Sequence, residues 1–407
     1  MVKSERRWII DAAMTSGIPE QLRLQSNGSM DDRHSKHGLR VVAVDLRRDT
    51  RWEAFLGTHP DAVVYQHPGW LRALEHEYGR ECIALACEDR AGELRGILPL
   101  MATCGLPGNL GGHRAGRRLS SLPRTPIAGP LATDPEATGT LLHAAVERAR
   151  MDASLQLELK PCRELPQTDG LVRVPWRQTF VLTLPDDPEK LRFGNSRNHS
   201  RIRWSINKAT RLGVEVRSAE DERDLKGWYE LYLEAMRWNA VPPRSYRFFA
   251  ALWRELHAVG AMRVLLAEHR GAGRTALLAG SIILSYGHTA FYAFNGSRRD
   301  TLSLRPNDII QWHAIHDACR RGLRWYDLGE VGDDHAMLAD FKSKWGAEPQ
   351  RLYRYYYRDN PRDDGDINPN DGDTHRNVLL QSAARGLWKR LPLRITETLG
   401  DWIYARL

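Results

Sequence analysis

The residues with the most chemical potential fall in one stretch, Asn307 to Tyr357. The run LRWYDLGEV carries two carboxylates, Asp327 and Glu330, at its end. The next run, AMLADFKSKWG, carries Lys342 beside Phe341 and three residues before Trp345. A carboxylate at a strand end can orient an amine or accept its proton. A lysine with restricted solvent can aim its charge at an oxyanion or a phosphate. The plainer assignments are a helix cap for Asp327 and a solvated lysine for Lys342.

A second cluster lies in SRNHSRIRWSINKATRLG. Read as a helix from Ser196 to Leu212, it has Asn195 or Ser196 as N-cap and Gly213 as its stop. Arg197, Arg201, Lys208 and Arg211 then share one face, with Ile202, Ile206 and Ala209 on the other. Such a stripe is usually a solvated face. Four cations with no acid among them also suit a phosphate-bearing partner. Arg305, Asn307 and Tyr292 (in HTAFYAFNG) join the candidate substrate contacts, as do Phe341, Trp345 and Trp70.

Several familiar machines are absent from the sequence. It has no G-x-S-x-G, no G-x-x-x-x-G-K-[ST], no H-E-x-x-H and no clean G-x-G-x-x-G. The five cysteines are scattered without a C-x-x-C pair, so no metal site is expected. No long apolar run predicts a membrane span or a secretory signal, which points to the cytoplasm. The net charge of +8 favours anionic partners.

The elements that must position these residues fall into two series. At 407 residues the chain is too long for one ordinary core. Residues 1–38 read as a flexible leader. The first series covers 39–165, with VVYQ extended, PGWLRALEHEYG helical, and CIALACED and RGILPLMA as strands about a turn. Its segment 105–126, rich in Gly, Pro and Arg, reads as a surface loop or a flap over a site. The second series, 175–358, runs β-α-α-β-β-β-α-β-α-β. This predicts an α/β chain of two similar units, each a mixed sheet with helices on its faces. An acidic linker, expected to be disordered, spans 359–375. A basic amphipathic tail, broken at Pro392, spans 376–407. It reads either as a helix packed on the body or as an element docking on an anionic membrane surface through 385–407.

The second series resembles the FemA/FemB-like branch of the GNAT superfamily, the BioF2-like acetyltransferase domain. The resemblance rests on Arg197-Asn198, Ile206, Lys208-Ala209, Gly213-Val214, Arg305-Pro306-Asn307, Trp312, Gly322, Tyr326-Asp327-Leu328-Gly329, Phe341-Lys342 and Trp345-Gly346. Tyr65-Gln66, Trp70, Tyr78-Gly79 and Leu98-Pro99-Leu100 extend it into the first series. The tail LWKRLPLRITETLG is similar to that of FemAB-like proteins of exosortase and exopolysaccharide systems. The resemblance implies tandem GNAT-like domains, each a mixed, mostly antiparallel sheet flanked by helices. It implies a cytoplasmic transferase, at most peripheral to the inner membrane, that makes an amide on an amine of an anionic envelope precursor. Lys342 matches a lysine of the family's active site. It would stabilise charge at the attacked carbonyl, and Asp327 or Glu330 would take the amine proton.

No permanently bound cofactor is implied. Where GNAT enzymes carry a Q/R-x-x-G-x-G/A loop for CoA pyrophosphate, this chain reads NGSRRDTLSLRPND. The acyl donor is therefore open among aminoacyl-tRNA, acyl-CoA and an acyl carrier protein. A module without catalysis that binds anionic glycan or RNA is the reading from another class.

Overall fold

The protein is described by a computed structural model over residues 38–104, 117–152, 155–271, 274–333, 335–357 and 385–404. The expected leader (apart from Gly38), the acidic linker, residues 105–116 of the expected flap and the first part of the tail lie outside them.

The first half contains β1 (Arg40–Ala43), α1 (Arg51–Thr58), α2 (Pro68–Tyr78), β2 (Ile83–Glu88), β3 (Leu94–Thr103), β4 (Arg118–Ser120), β5 (Leu131–Ala132), α3 (Pro135–Arg150) and β6 (Gln156–Leu159). β7 (Leu171–Thr183) and α4 (Ser196–Arg211) follow. The second half continues with β8 (Val214–Ser218), α5 (Glu222–Asn239), α6 (Tyr246–Leu252), β9 (Met262–Gly271), β10 (Arg274–Tyr286) and β11 (Thr289–Ser297). It closes with α7 (Pro306–Arg320), β12 (Trp325–Val331), α8 (Ala336–Lys344) and β13 (Glu348–Tyr357), and α9 (Leu393–Tyr404) lies in the tail.

Local chemistry accounts for the helix ends. The Asn195 side chain accepts from the Asn198 amide and starts α4. Gly213, at φ +77°, lets the chain turn back after it. Pro68 opens α2, His67 accepts the Gly69 amide, and Gly79 in the left-handed region stops it. Residues 64–66, expected to be extended, form a 3-10 turn. The Gln66 side chain accepts the Val63 amide there, a local bond that bends the backbone out of a strand.

The two halves share one sheet. Its thirteen strands run β1-β2-β3-β4-β6-β13-β7-β12-β11-β10-β9-β8, with β5 beside β3. Among the described residues neighbours are antiparallel except β4 with β6 and β11 with β12. Each parallel pair is joined through a helix, α3 or α7, as a crossover requires. The halves therefore repeat one plan. β13, the last strand, crosses between β6 and β7 and pairs with both. Helix faces bury against this sheet in three apolar clusters, one under α3, one under α4 and α7, and one where α1 and α2 meet α5 and α6.

The stretch after β4 departs from the expected surface loop. Ser121–Pro123 and Thr125 are buried. The carbonyl oxygens of Leu122, Arg124 and Pro126 accept from Lys160 (2.7 Å), Arg244 (2.7 Å) and Arg354 (2.6 Å). Leu122 and Arg124 hold φ of 66° and 50°, conformations that non-glycine residues avoid. Three buried cations thus hold the strained turn between the halves, and its composition alone does not reveal them.

Candidate active site

The site forms where two central strands part. β11 and β12 pair only from Thr289–Trp325 to Phe291–Asp327. Beyond that point β11 stays with β10 and β12 stays with β7. A bulge between Asp327 and Glu330 turns β12 away, and Gly329 supplies it with φ +87°. A methyl group on Gly329 would lie 3.7 Å from the Lys342 Nζ and 3.9 Å from the Tyr292 carbonyl oxygen. The gap between the strands is therefore lined by one ammonium and by backbone groups of both strands.

Lys342 is the buried residue of α8. Its Nζ donates to the carbonyl oxygens of Gly329 (2.9 Å) and Glu330 (3.2 Å). An ammonium has three donors, and the third has no partner among the described residues. Burial pulls its pKa down to about 8, while Asp327 and Glu330 pull the other way.

Asp327 is buried in the same place. Its Oδ1 accepts from the Thr179 hydroxyl at 2.5 Å and from the Gly329 amide at 2.7 Å. Oδ2 has no hydrogen-bond partner among the described residues. Burial pushes the Asp327 carboxyl above its ordinary value, against those two hydrogen bonds and the nearby Lys342 charge. A carboxylate with one oxygen tied and the other open can receive a proton. Asp327 does not cap α8: the N-cap position is His335, with no side-chain cap bond.

Glu330 is placed differently. Its two oxygens accept from Arg354 Nη2 and Trp176 Nε1, each at 3.2 Å. Arg354 is buried and also lies over the Trp176 ring at 5.1 Å. Both oxygens of Glu330 are thus occupied, and the carboxylate links β12 to β13 and β7. This geometry suits an anchor better than a base.

The first half contributes Tyr65, which composition and spacing did not single out for the site. Its ring packs 4.8 Å from Phe291, the last residue of β11 paired with β12. Burial raises its hydroxyl pKa well above the ordinary value, and the Asp327 and Glu330 charges raise it further. Thr179 was missed for the same reason: only strand pairing brings β7 beside Asp327.

Residues 196–343 match the family model described as an acetyltransferase (GNAT) domain. That segment is a GNAT acyltransferase domain. No curated protein matches the chain in sequence. The crystal structure of FemX is similar in fold, with TM-score 0.60 and 17% identity, over 78% of this chain and 97% of that one. So is the C-terminal domain (DUF2156) of a putative lysylphosphatidylglycerol synthetase from Agrobacterium fabrum. There the TM-score is 0.50 and the identity 12%, over 77% and 93% of the two chains.

The GNAT domain spans the gap, Lys342 and Asp327, and also the basic face of α4. Arg197, Arg201 and Arg211 are exposed there, Lys208 is half-buried, and no carboxylate pairs with them among the described residues. The surprise on this face is Trp204, which is 52% exposed. Lys208 lies over its ring at 5.3 Å and Arg305 at 5.8 Å. An indole among cations on the polar face of the helix was the available signal. The start of α4 abuts the end of the Lys342 helix. Gly194 and Gly346 abut, so that a methyl on Gly346 would meet the Gly194 nitrogen at 2.7 Å. Lys344 approaches Asp308 of α7 at 3.7 Å.

The remaining expected contacts divide. Tyr292 is half-buried, with Ser281 donating to its hydroxyl at 3.2 Å. Asn307 donates to the Ser297 hydroxyl at 3.3 Å, and Phe341 is exposed. Trp70 and Trp345 are core residues, 1% and 0% exposed, and present no face to a ligand. Trp70 packs edge-on against Tyr65 and Phe248 and donates to Thr125. Trp345 packs edge-on against Phe193. Among the described residues no group of three or more His, Cys, Asp or Glu side chains could hold a metal ion.

Proposed function

We propose that the chain makes an amide by direct transfer of an acyl or aminoacyl group to an amine of a cell-envelope precursor, of peptidoglycan or exopolysaccharide type. The observation that carries this reading is the open N–H of Lys342 beside Gly329, with Asp327 held by the amide of the same glycine.

The amine nitrogen attacks the donor's carbonyl carbon, and the C–N bond forms as the C–O or C–S bond to the carrier breaks. Lys342 stabilises the negative charge that develops on the carbonyl oxygen. Asp327 accepts the proton lost by the amine, and the departing carrier oxygen or sulfur is protonated in turn. No covalent intermediate on the enzyme is needed, because positioning two bound substrates already removes much of the barrier. The unpaired edge of β11 beyond Phe291 suits an extended, amide-bearing donor arm, which can add to it as a strand adds to a sheet. The cationic face of α4 suits the phosphates of a tRNA, a CoA or an anionic precursor. We place the reaction at the cytoplasmic side of the inner membrane.

The test offers aminoacyl-tRNA, acyl-CoA and acyl carrier protein in turn, with amine-bearing envelope precursors, and follows product by mass spectrometry. One donor should yield an amide product that Lys342→Ala loses while keeping its fold. Turnover unchanged by Lys342→Ala would remove the reading.

A further inference from the structure

Helix α9 is built the wrong way round for a terminal brace. Its body-facing positions are Thr396, Gly400 and Tyr404, one turn apart and all buried. Gly400 sits directly against the Pro243 carbonyl oxygen, leaving no room for a larger residue. The acids of the helix are drawn toward the body as well. Asp401 pairs with Arg247 at 2.8 Å, and Glu397 adds to the rise that burial gives the Tyr229 hydroxyl. Tyr404 lies under the Arg124 and Arg244 cations at 5.1 and 5.3 Å.

The opposite face carries Ile395, Leu399 and Trp402, spaced i, i+4, i+7, and they are 46%, 39% and 42% exposed. A helix that only braced a fold would turn this stripe inward and its acids outward. The segment leading into it continues the pattern. Leu387 is 64% exposed, and Arg385, Lys389, Arg390 and Arg394 are all exposed, with no acid between 385 and 395. Lys389 also reaches over the ring of Trp238, itself 49% exposed, at 5.3 Å.

We infer that the tail docks on the headgroup layer of an anionic lipid bilayer. Ile395, Leu399 and Trp402 enter the interface, while the four cations meet lipid phosphates. Aliphatic and indole side chains on one helix face beside a run of arginine and lysine match such a surface. Charge argues against a second copy as the occupant, since it would set the same cations against each other in a chain of net charge +8. Among the described residues no helix is long and apolar enough to cross a membrane, so the contact is a surface one. The inference does not rest on the transfer reading. A membrane-docked protein of another activity would satisfy it, and a transferase that ignores membranes would not.

The test is flotation of the full chain with vesicles of phosphatidylglycerol and phosphatidylethanolamine, against vesicles of phosphatidylcholine. Binding is expected only to the first, weakening as salt is raised. Leu399→Asn with Trp402→Ser should lower the partition coefficient roughly tenfold or more at unchanged melting temperature. Ile395→Ser should lower it less. Absence of binding to the anionic vesicles overturns the inference. So does full binding by the double variant, or binding lost by Arg197→Gln with Arg201→Gln on α4 and not by the tail variants. Dimerisation that needs Leu399 and Trp402, without vesicle binding, assigns the face to a second copy and also overturns it.

Discussion

The Lys342 ammonium donates to the Gly329 carbonyl across 2.9 Å, while the Gly329 amide donates to Asp327. One glycine at φ +87° therefore holds both charged groups, one at each end of its peptide units. Replacement of Lys342 by Ala should lower kcat by about 10²–10³-fold, the loss typical of an oxyanion donor. Circular dichroism and melting should show a folded protein. Lys342→Arg should rescue poorly, because a guanidinium cannot fit two carbonyl oxygens spaced for an ammonium.

The pH dependence separates two roles for that lysine. With its pKa drawn down to about 8, kcat should fall as pH rises through that value if the cation does the work. A rise across the same range would make neutral Lys342 the base. Stability moves the other way. Between about 8 and the ordinary 10.5 the unfolded chain binds more protons at this residue than the folded one. Unfolding free energy should therefore climb with pH over that window. Lys342→Met should flatten part of the climb; buried Lys160, drawn down to about 8 by the same desolvation, supplies more of it.

Gly329→Ala should cost about 1 kcal/mol or more in denaturant unfolding, because the left-handed backbone strains any side chain. A larger side chain such as Val should also displace the Lys342 Nζ, since even a methyl would stand 3.7 Å from it. Activity should then fall further than stability does. Equal activity in Gly329→Val at full folding would count against the bulge as the positioning device.

Thr179→Val removes the 2.5 Å hydrogen bond to Asp327 at nearly constant volume. The cost should be about 1 kcal/mol in stability. The Asp327 carboxyl should rise further, moving the acidic limb of the pH–rate profile upward, because one of the groups that favours its charged form is gone. An unmoved acidic limb would take Asp327 out of the proton transfer.

Trp204→Ala should raise KM for a phosphate-bearing substrate roughly tenfold with kcat little changed, as expected for a stacking platform outside the reacting atoms. Arg201→Gln should act similarly and reduce the salt dependence of KM. Lower kcat at unchanged KM would place this face in the chemistry instead.

Much of this was legible in the chain because it depends on neighbours in sequence. The α4 stripe, its Asn195 cap and its Gly213 stop follow from helical spacing and local hydrogen bonding. The strand–helix pairing of Asp327 with Lys342 follows from the order β12–α8, fifteen residues apart in number. The break at Pro392 was also readable, since a proline cannot continue the preceding turn.

Other features needed the assembled sheet. Thr179 reaches Asp327 only because β7 lies beside β12, and Tyr65 only because the first half packs against β11. Trp70 and Trp345 look like ligand platforms in sequence, yet the core takes them, since large aromatic rings gain most by complete burial. Glu330 resembles a second base until Arg354 reaches it from β13, one strand beyond β7. By itself the sequence determined which residues share a helix face or a strand end. Tertiary structure decided which of them meet, because pairing between distant strands sets the distances on which hydrogen bonds and desolvation depend.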